Sequence, residues 1–183
     1  MSDQQKPLRL RKRHSSGGQE NVTIADGERL VDAQSIRNAI VAGLIIVVVF
    51  SVFWVALTTL LNQVFPWFTV ALGFLLGYAI RLAGRGVDWR FPVLAAVLAM
   101  AGSLFANIVV AASVTAEEFG TGTLLVLQSV TSMTWPVFFD EVLTIADAFY
   151  AVVSAGFAAF YANRKLTRTQ YYALRLWRGE KND

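Results

Sequence analysis

Cysteine is missing from the 183 residues. Its absence excludes disulfides, thiolate metal sites and cysteine nucleophiles together. The one histidine, His14, lies in a basic tail. Charge is also scarce. Only 16% of the residues are Asp, Glu, Lys or Arg, against about 25% in a soluble domain. The deficit comes from long uncharged runs: no charge lies between Arg37 and Arg81, and none between Arg90 and Glu117. A bilayer core takes roughly 20 apolar residues per helix, so the first run has room for two spans and a turn. Catalytic signatures are lacking too. There is no G-x-S-x-G, H-E-x-x-H, P-loop or dinucleotide fingerprint. The expectation is a protein that is not an enzyme and that carries no cofactor and no catalytic metal.

What is present is organised around residues 66–90. This stretch opens with Pro66 and an interfacial tryptophan, Trp67. It continues as an apolar helix with Gly73 and Gly77 four apart, and it closes on Arg81, Arg85 and Arg90. Four spans are predicted, at about 39–61, 66–83, 91–114 and 142–163, within a membrane domain of 36–163. The predicted fold class is all-α, an integral membrane four-helix bundle. Residues 1–35 read as a disordered basic cytoplasmic tail with a short lead-in helix between 26 and 37. Residues 164–183 read as a cytoplasmic amphipathic helix and tail. Its arginines share one face, and Leu166, Ala173 and Trp177 lie on the other, the pattern of a helix lying on a membrane surface. A protein-docking helix is the alternative.

Topology follows from the basic residues. Seven of the 16 Lys and Arg lie at or before Arg37, then come Arg81, Arg85 and Arg90, and six lie from Arg164 onward. The 62–65 turn and residues 115–141 contain none. With four spans, every basic loop and tail falls on one side, which the positive-inside rule makes cytoplasmic. A fifth span through 119–139 would put the basic C-terminus on the wrong side. Residues 115–141 are therefore predicted to be an external loop, its 124–130 portion a short interfacial or partly dipping helix. The expected location is the inner (plasma) membrane, multi-pass, with both termini cytoplasmic. The basic tail reads as an anchor near anionic lipid and not as a nucleic-acid binder.

Three sets of residues are singled out. Gly73, Gly77, Ala95, Ala99, Ser103, Ala151 and Ala155 are small residues at helical spacing, the device that lets helices approach closely in lipid. Arg81, Arg85 and Arg90 are inner-interface anchors whose charges snorkel to water. Thr58, Asn107 and Asp147 are predicted to share a polar pocket open to the external side, because intramembrane carboxylates avoid lipid and mark ion or proton pathways. Beside that stands a structural reading of Asp147: an acidic residue in the first turns of a helix is favoured by the helix dipole.

The run Gly73-Phe-Leu-Leu-Gly77-Tyr-Ala-Ile-Arg81-Leu-Ala-Gly84-Arg85-Gly86, followed by an Ala/Gly-rich third helix, resembles a loose class of small, mostly uncharacterised bacterial four-helix inner-membrane proteins. So does Asp147-Ala-Phe149-Tyr150 with the Ala-rich run to Tyr161. The resemblance covers 66–163. Some members carry a cysteine-rich zinc ribbon, which this cysteine-free chain lacks. The class implies the fold and no activity. The expected function is a structural or accessory membrane protein that binds partner proteins in a larger complex or self-associates. The alternative is a small transporter or channel subunit with a polar pocket near Asp147.

Overall fold

A computed structural model describes residues 22–129, 136–137 and 143–180. Among them the chain is all-α, with seven α-helices and no strand. These are α1 (Ile24–Asp32), α2 (Ile36–Leu61), α3 (Thr69–Gly84), α4 (Arg90–Glu118), α5 (Thr123–Ser129), α6 (Ile145–Ala162) and α7 (Arg168–Glu180). A 3-10 turn at Pro66–Phe68 leads into α3. Four elements are long and apolar enough to cross a membrane: α2, α3 with its lead-in turn, α4 and α6. The chain is thus built as a multi-pass membrane protein.

Local chemistry sets the helix ends. Ser35 caps α2, its hydroxyl accepting the Asn38 N–H at 3.2 Å. Asn62 stops that helix in the left-handed region, φ 50, which asparagine tolerates better than most residues. Pro66 opens the 3-10 turn, where its missing N–H leaves no bond unmade. α4 continues past 114 to Glu118, so residues 115–118 are helix and not loop. It ends in a Schellman motif: Thr121 N–H donates to Ala116 O at 2.8 Å and Gly120 N–H to Glu117 O at 3.2 Å. Gly120 takes the left-handed φ of 61 that this motif needs. α5 follows within the expected external loop, with Leu124 and Leu125 exposed. Residues 130–135 and 138–142 lie outside the described residues, as does the N-terminal tail to residue 21. The expectations of a disordered basic tail and of an external loop through those residues fall there.

α3 and α4 touch each other, and both α2 and α6 pack against each of them. α2 and α6 therefore sit on opposite sides of the α3–α4 pair. Leu72, Leu76 and Ile80 of α3, Val47, Phe50 and Trp54 of α2, and Phe91 and Val110 of α4 fill the core. At one end the Phe68 ring stacks on Phe50 (centroids 5.1 Å apart) and tilts against Trp54 (5.8 Å). α2 turns Val41, Ile45, Val48, Val52 and Phe53 outward, an apolar surface suited to lipid and not to water.

The opposite end is held by the turn at 84–86. Gly84 O accepts from Ser35 N–H (2.9 Å), and Gly86 O accepts from Arg164 N–H (3.0 Å). Val87 N–H donates to Gln34 Oε1 at 3.2 Å. One turn thereby ties the α1–α2 link and the α6–α7 link to the foot of the bundle. Beyond it α1 and α7 pack against each other. A Cβ on Gly27 would run into the Ala173 carbonyl and come within 2.7 Å of the Trp177 Cβ. Ala173 and Leu174 are buried. The Ala173–Trp177 side of α7, expected to face a membrane, instead faces α1, because Gly27 lets the two backbones meet. Arg178 reaches Asp88 at 3.2 Å in an exposed pair.

Candidate functional site

Small residues position everything else. All seven of Gly73, Gly77, Ala95, Ala99, Ser103, Ala151 and Ala155 are buried. Gly73 and Gly77 lie against α6. A Cβ on Gly73 would overlap the Ser154 carbonyl, and one on Gly77 would stand 2.6 Å from Ala158 O. α3 and α6 both run down the bundle in the same direction, and these two contacts fix their register. Continued one turn, the same register sets Arg81 level with Ala162.

Asp147 is buried, as are Thr58 and Asn107. α6 begins three residues later than 142, with Thr144 as its cap. The pair forms a capping box. One Asp147 carboxylate oxygen, Oδ2, accepts from the Thr144 N–H (3.0 Å) and the Thr144 hydroxyl (2.6 Å). The Thr144 hydroxyl in turn accepts the Asp147 N–H at 3.3 Å. This satisfies donors that a helix start otherwise leaves bare. Gly43 packs on Leu98, and Gly102 packs on Val47, a register that sets Asn107 level with Val52 of α2. The Asn107 Nδ2 has no hydrogen-bond partner, so it makes no direct bond to the Asp147 carboxylate.

Other polar side chains are buried without partners. The Ser103 Oγ, Asn107 Nδ2 and Ser154 Oγ atoms are buried and have no hydrogen-bond partner, and neither have Trp54 Nε1 and Thr58 Oγ1. Ser103 and Asn107 are one turn apart on α4, and Ser154 lies on α6 against Gly73. A buried polar atom left unpaired costs about 1–3 kcal/mol. Ser51 on α2 avoids that cost by donating to Val47 O at 2.8 Å. Higher up, the Thr59 hydroxyl donates to Glu117 Oε1 at 2.8 Å and ties the ends of α2 and α4.

The arginines separate as well. Arg81, in the last turn of α3, and Arg85, its left-handed cap residue with φ 50, line a cavity of about 560 Å³ together with Leu82, Arg164 and Lys165. Arg90 is exposed and starts α4 instead. A second cleft, about 490 Å³, lies between α1 and α7 and is lined by Asp26, Arg29, Leu30, Thr167 and Gln170 among others. The Asp26 carboxyl there is held below its ordinary value near 3.8, first by the Thr23 backbone N–H and then by the Thr23 hydroxyl. Among the described residues, no group of three or more His, Cys, Asp or Glu could hold a metal. No family model, curated protein or solved structure matches this chain.

Proposed function

We propose that this chain is an accessory protein of the inner membrane, with both termini in the cytoplasm, that offers its docked α1–α7 pair to a partner protein of a larger membrane complex or to a second copy of itself. The observation that carries this reading is the pair itself. Two short amphipathic helices, one from each end of the sequence, bury Ala173 and Leu174 against each other outside the spans. They leave between them a cleft that mixes charge (Asp26, Arg29), amide and hydroxyl groups (Gln170, Thr167, Thr169) and apolar Leu30 and Val22. That mixture suits a peptide segment, which presents the same three kinds of group. Lipid and nucleic acid do not: the cleft is neither an apolar face nor a basic one.

The test is affinity purification of the full chain from native membranes in mild detergent, beside Gly27→Leu. The wild type should elute as part of a larger assembly, and the variant, whose α7 cannot seat, as the lone four-helix unit. A wild type that elutes alone, as a monomer, sinks the reading.

The second reading, a small transporter or channel subunit with a polar pocket near Asp147, draws support from the buried and unpaired Ser103, Asn107 and Ser154 side chains. It requires a polar path past those side chains. Unchanged uptake or conductance in a Ser103→Ala, Ser154→Ala double variant would remove it.

A further inference from the structure

We propose that the cavity framed by Arg81, Arg85, Arg164 and Lys165 binds the phosphate headgroup of an anionic phospholipid, with the lipid's acyl chain lying in the apolar groove on α6. The four cations come from two separate parts of the chain. The Gly73–Ser154 and Gly77–Ala158 contacts set the lower ends of α3 and α6 side by side, and the Gly86 O to Arg164 N–H bond fixes the link after α6 against the turn after α3. The result is a cavity of about 560 Å³ with four positive side chains and no carboxylate among its lining residues. Asp88, the acidic residue nearest along the chain, is engaged by Arg178. Four like charges converging on one space repel one another, and an anion seated among them reverses the sign of that interaction.

The fifth lining residue decides which anion. Leu82 is exposed, and it continues a stripe of exposed residues up the outer face of α3 through Tyr78 and Phe74. Towards α6, Phe74 stacks on Phe157 (4.7 Å) and meets Tyr161 (4.7 Å). On α6, in the turns that precede Arg164, lies an apolar groove of about 380 Å³, lined by Val153, Gly156, Phe157, Phe160 and Tyr161. Gly156 leaves a notch there, since nothing lies within 4 Å of where its Cβ would stand. A cationic cavity at the foot of an apolar groove has the two halves of a phospholipid, in the order and direction that a lipid of the arginine-side leaflet would present them. A soluble phosphate would use the first half and leave the second empty. Basic pockets between membrane helices bind acidic headgroups by this chemistry. The proposal rests on the membrane placement of the four spans and is independent of any protein partner.

Native mass spectrometry of the full chain in mild detergent tests it, with dioleoyl phosphatidylglycerol, dioleoyl phosphatidylcholine and inorganic phosphate as probes at equal concentration. Phosphatidylglycerol should be retained in preference to phosphatidylcholine, and inorganic phosphate should neither be retained nor displace it. Arg85→Gln with Lys165→Gln, both exposed positions, should cut that retention about tenfold. Arg90→Gln with Arg175→Gln removes the same charge from outside the cavity and should leave retention unchanged. Equal retention of the two lipids, or equal loss in the two variant pairs, would overturn the site. Retention of inorganic phosphate at the level of the lipid would overturn the lipid as its occupant. If the cavity variant is less stable in detergent, Lys165→Gln alone carries the same comparison against Arg175→Gln alone.

Discussion

Residues of one type can look alike in sequence and differ completely in consequence. Gly77 and Gly156 are both glycines in apolar helices, yet a Cβ on Gly77 meets Ala158 O at 2.6 Å while one on Gly156 meets nothing within 4 Å. Gly77→Leu should therefore lower thermal stability in detergent by on the order of 1–3 kcal/mol, and Gly156→Leu should leave it unchanged. Thermal melts of both variants check this, and matching melts would mean that the α3–α6 contact is not the close one described. Asp147 shows what a sequence can and cannot say about one side chain. A buried acid early in a helix was legible, and so was its dipole-based role, since Thr144-x-x-Asp147 reads directly as a capping box. Where its helix begins was not: α6 starts three residues after 142, with Thr144 as its cap. Thr144→Ala should cost about 1 kcal/mol through the lost cap, read as a lower melting temperature. A Thr144→Ala melt equal to wild type would show that the cap contributes nothing.

The elements outside the spans were less legible than those within. Charge-free runs announce a membrane helix by length alone, which is why α2, α3, α4 and α6 appear close to where the sequence puts them. α1 has no such run, and its apolar spacing is weak. The signal that marks its start is the same one that marks α6: Thr23-x-x-Asp26, with the Asp26 carboxylate accepting from the Thr23 N–H at 3.0 Å and from its hydroxyl at 2.8 Å. Thr167-x-x-Gln170 opens α7 in the same way. Which surface the apolar side of α7 covers is a tertiary matter, because a small apolar stripe fits lipid and α1 equally well until Gly27 is brought beside Ala173. The cap also gives α1 a pH dependence with a definite sign. The Asp26 carboxyl is held below its ordinary value, first by the Thr23 N–H. Its contribution is present in full above the unfolded value near 3.8 and is lost as pH falls through the lower folded value. Amide exchange in α1 should be flat from neutral pH down to about pH 4, after correction for the intrinsic rate, and should accelerate below it. Asp26→Asn should remove that step. A loosening centred near neutral pH would assign the α1–α7 contact to some other group.

For the whole molecule, the question is which way the bundle points. The hydrogen bonds from Ser35 to Gly84 and from Arg164 to Gly86 gather Arg37, Arg81, Arg85, Arg90, Arg164 and Lys165 at one end. The other end carries Glu117 and Glu118, the turn at 62–65 and α5. Segregation of this kind was fully legible, since it needs only residue types and span count. The pairing of α3 with α6 was not: Ala95, Ala99 and Ser103 on α4 offer the same small-residue spacing, and only the assembled bundle shows Gly73 against Ser154. By the positive-inside rule we propose that the arginine end lies in the cytoplasm. The missing cysteine makes this directly testable, because any cysteine introduced is the only one to label. Thr121 follows the Schellman turn of α4 and is exposed, and Thr167 lies just before α7 and is exposed. A membrane-impermeant maleimide added to intact cells should label Thr121→Cys, and should label Thr167→Cys only after the membrane is opened. The same pair decides the segment between α5 and α6. If 119–139 crosses the bilayer, α6 runs the other way and Thr167→Cys is labelled in intact cells together with Thr121→Cys. In that case α3 and α6 would have to run antiparallel. The parallel register of Gly73 with Ser154 and Gly77 with Ala158 could not then exist, and the basic cavity at their shared foot would lose Arg164 and Lys165.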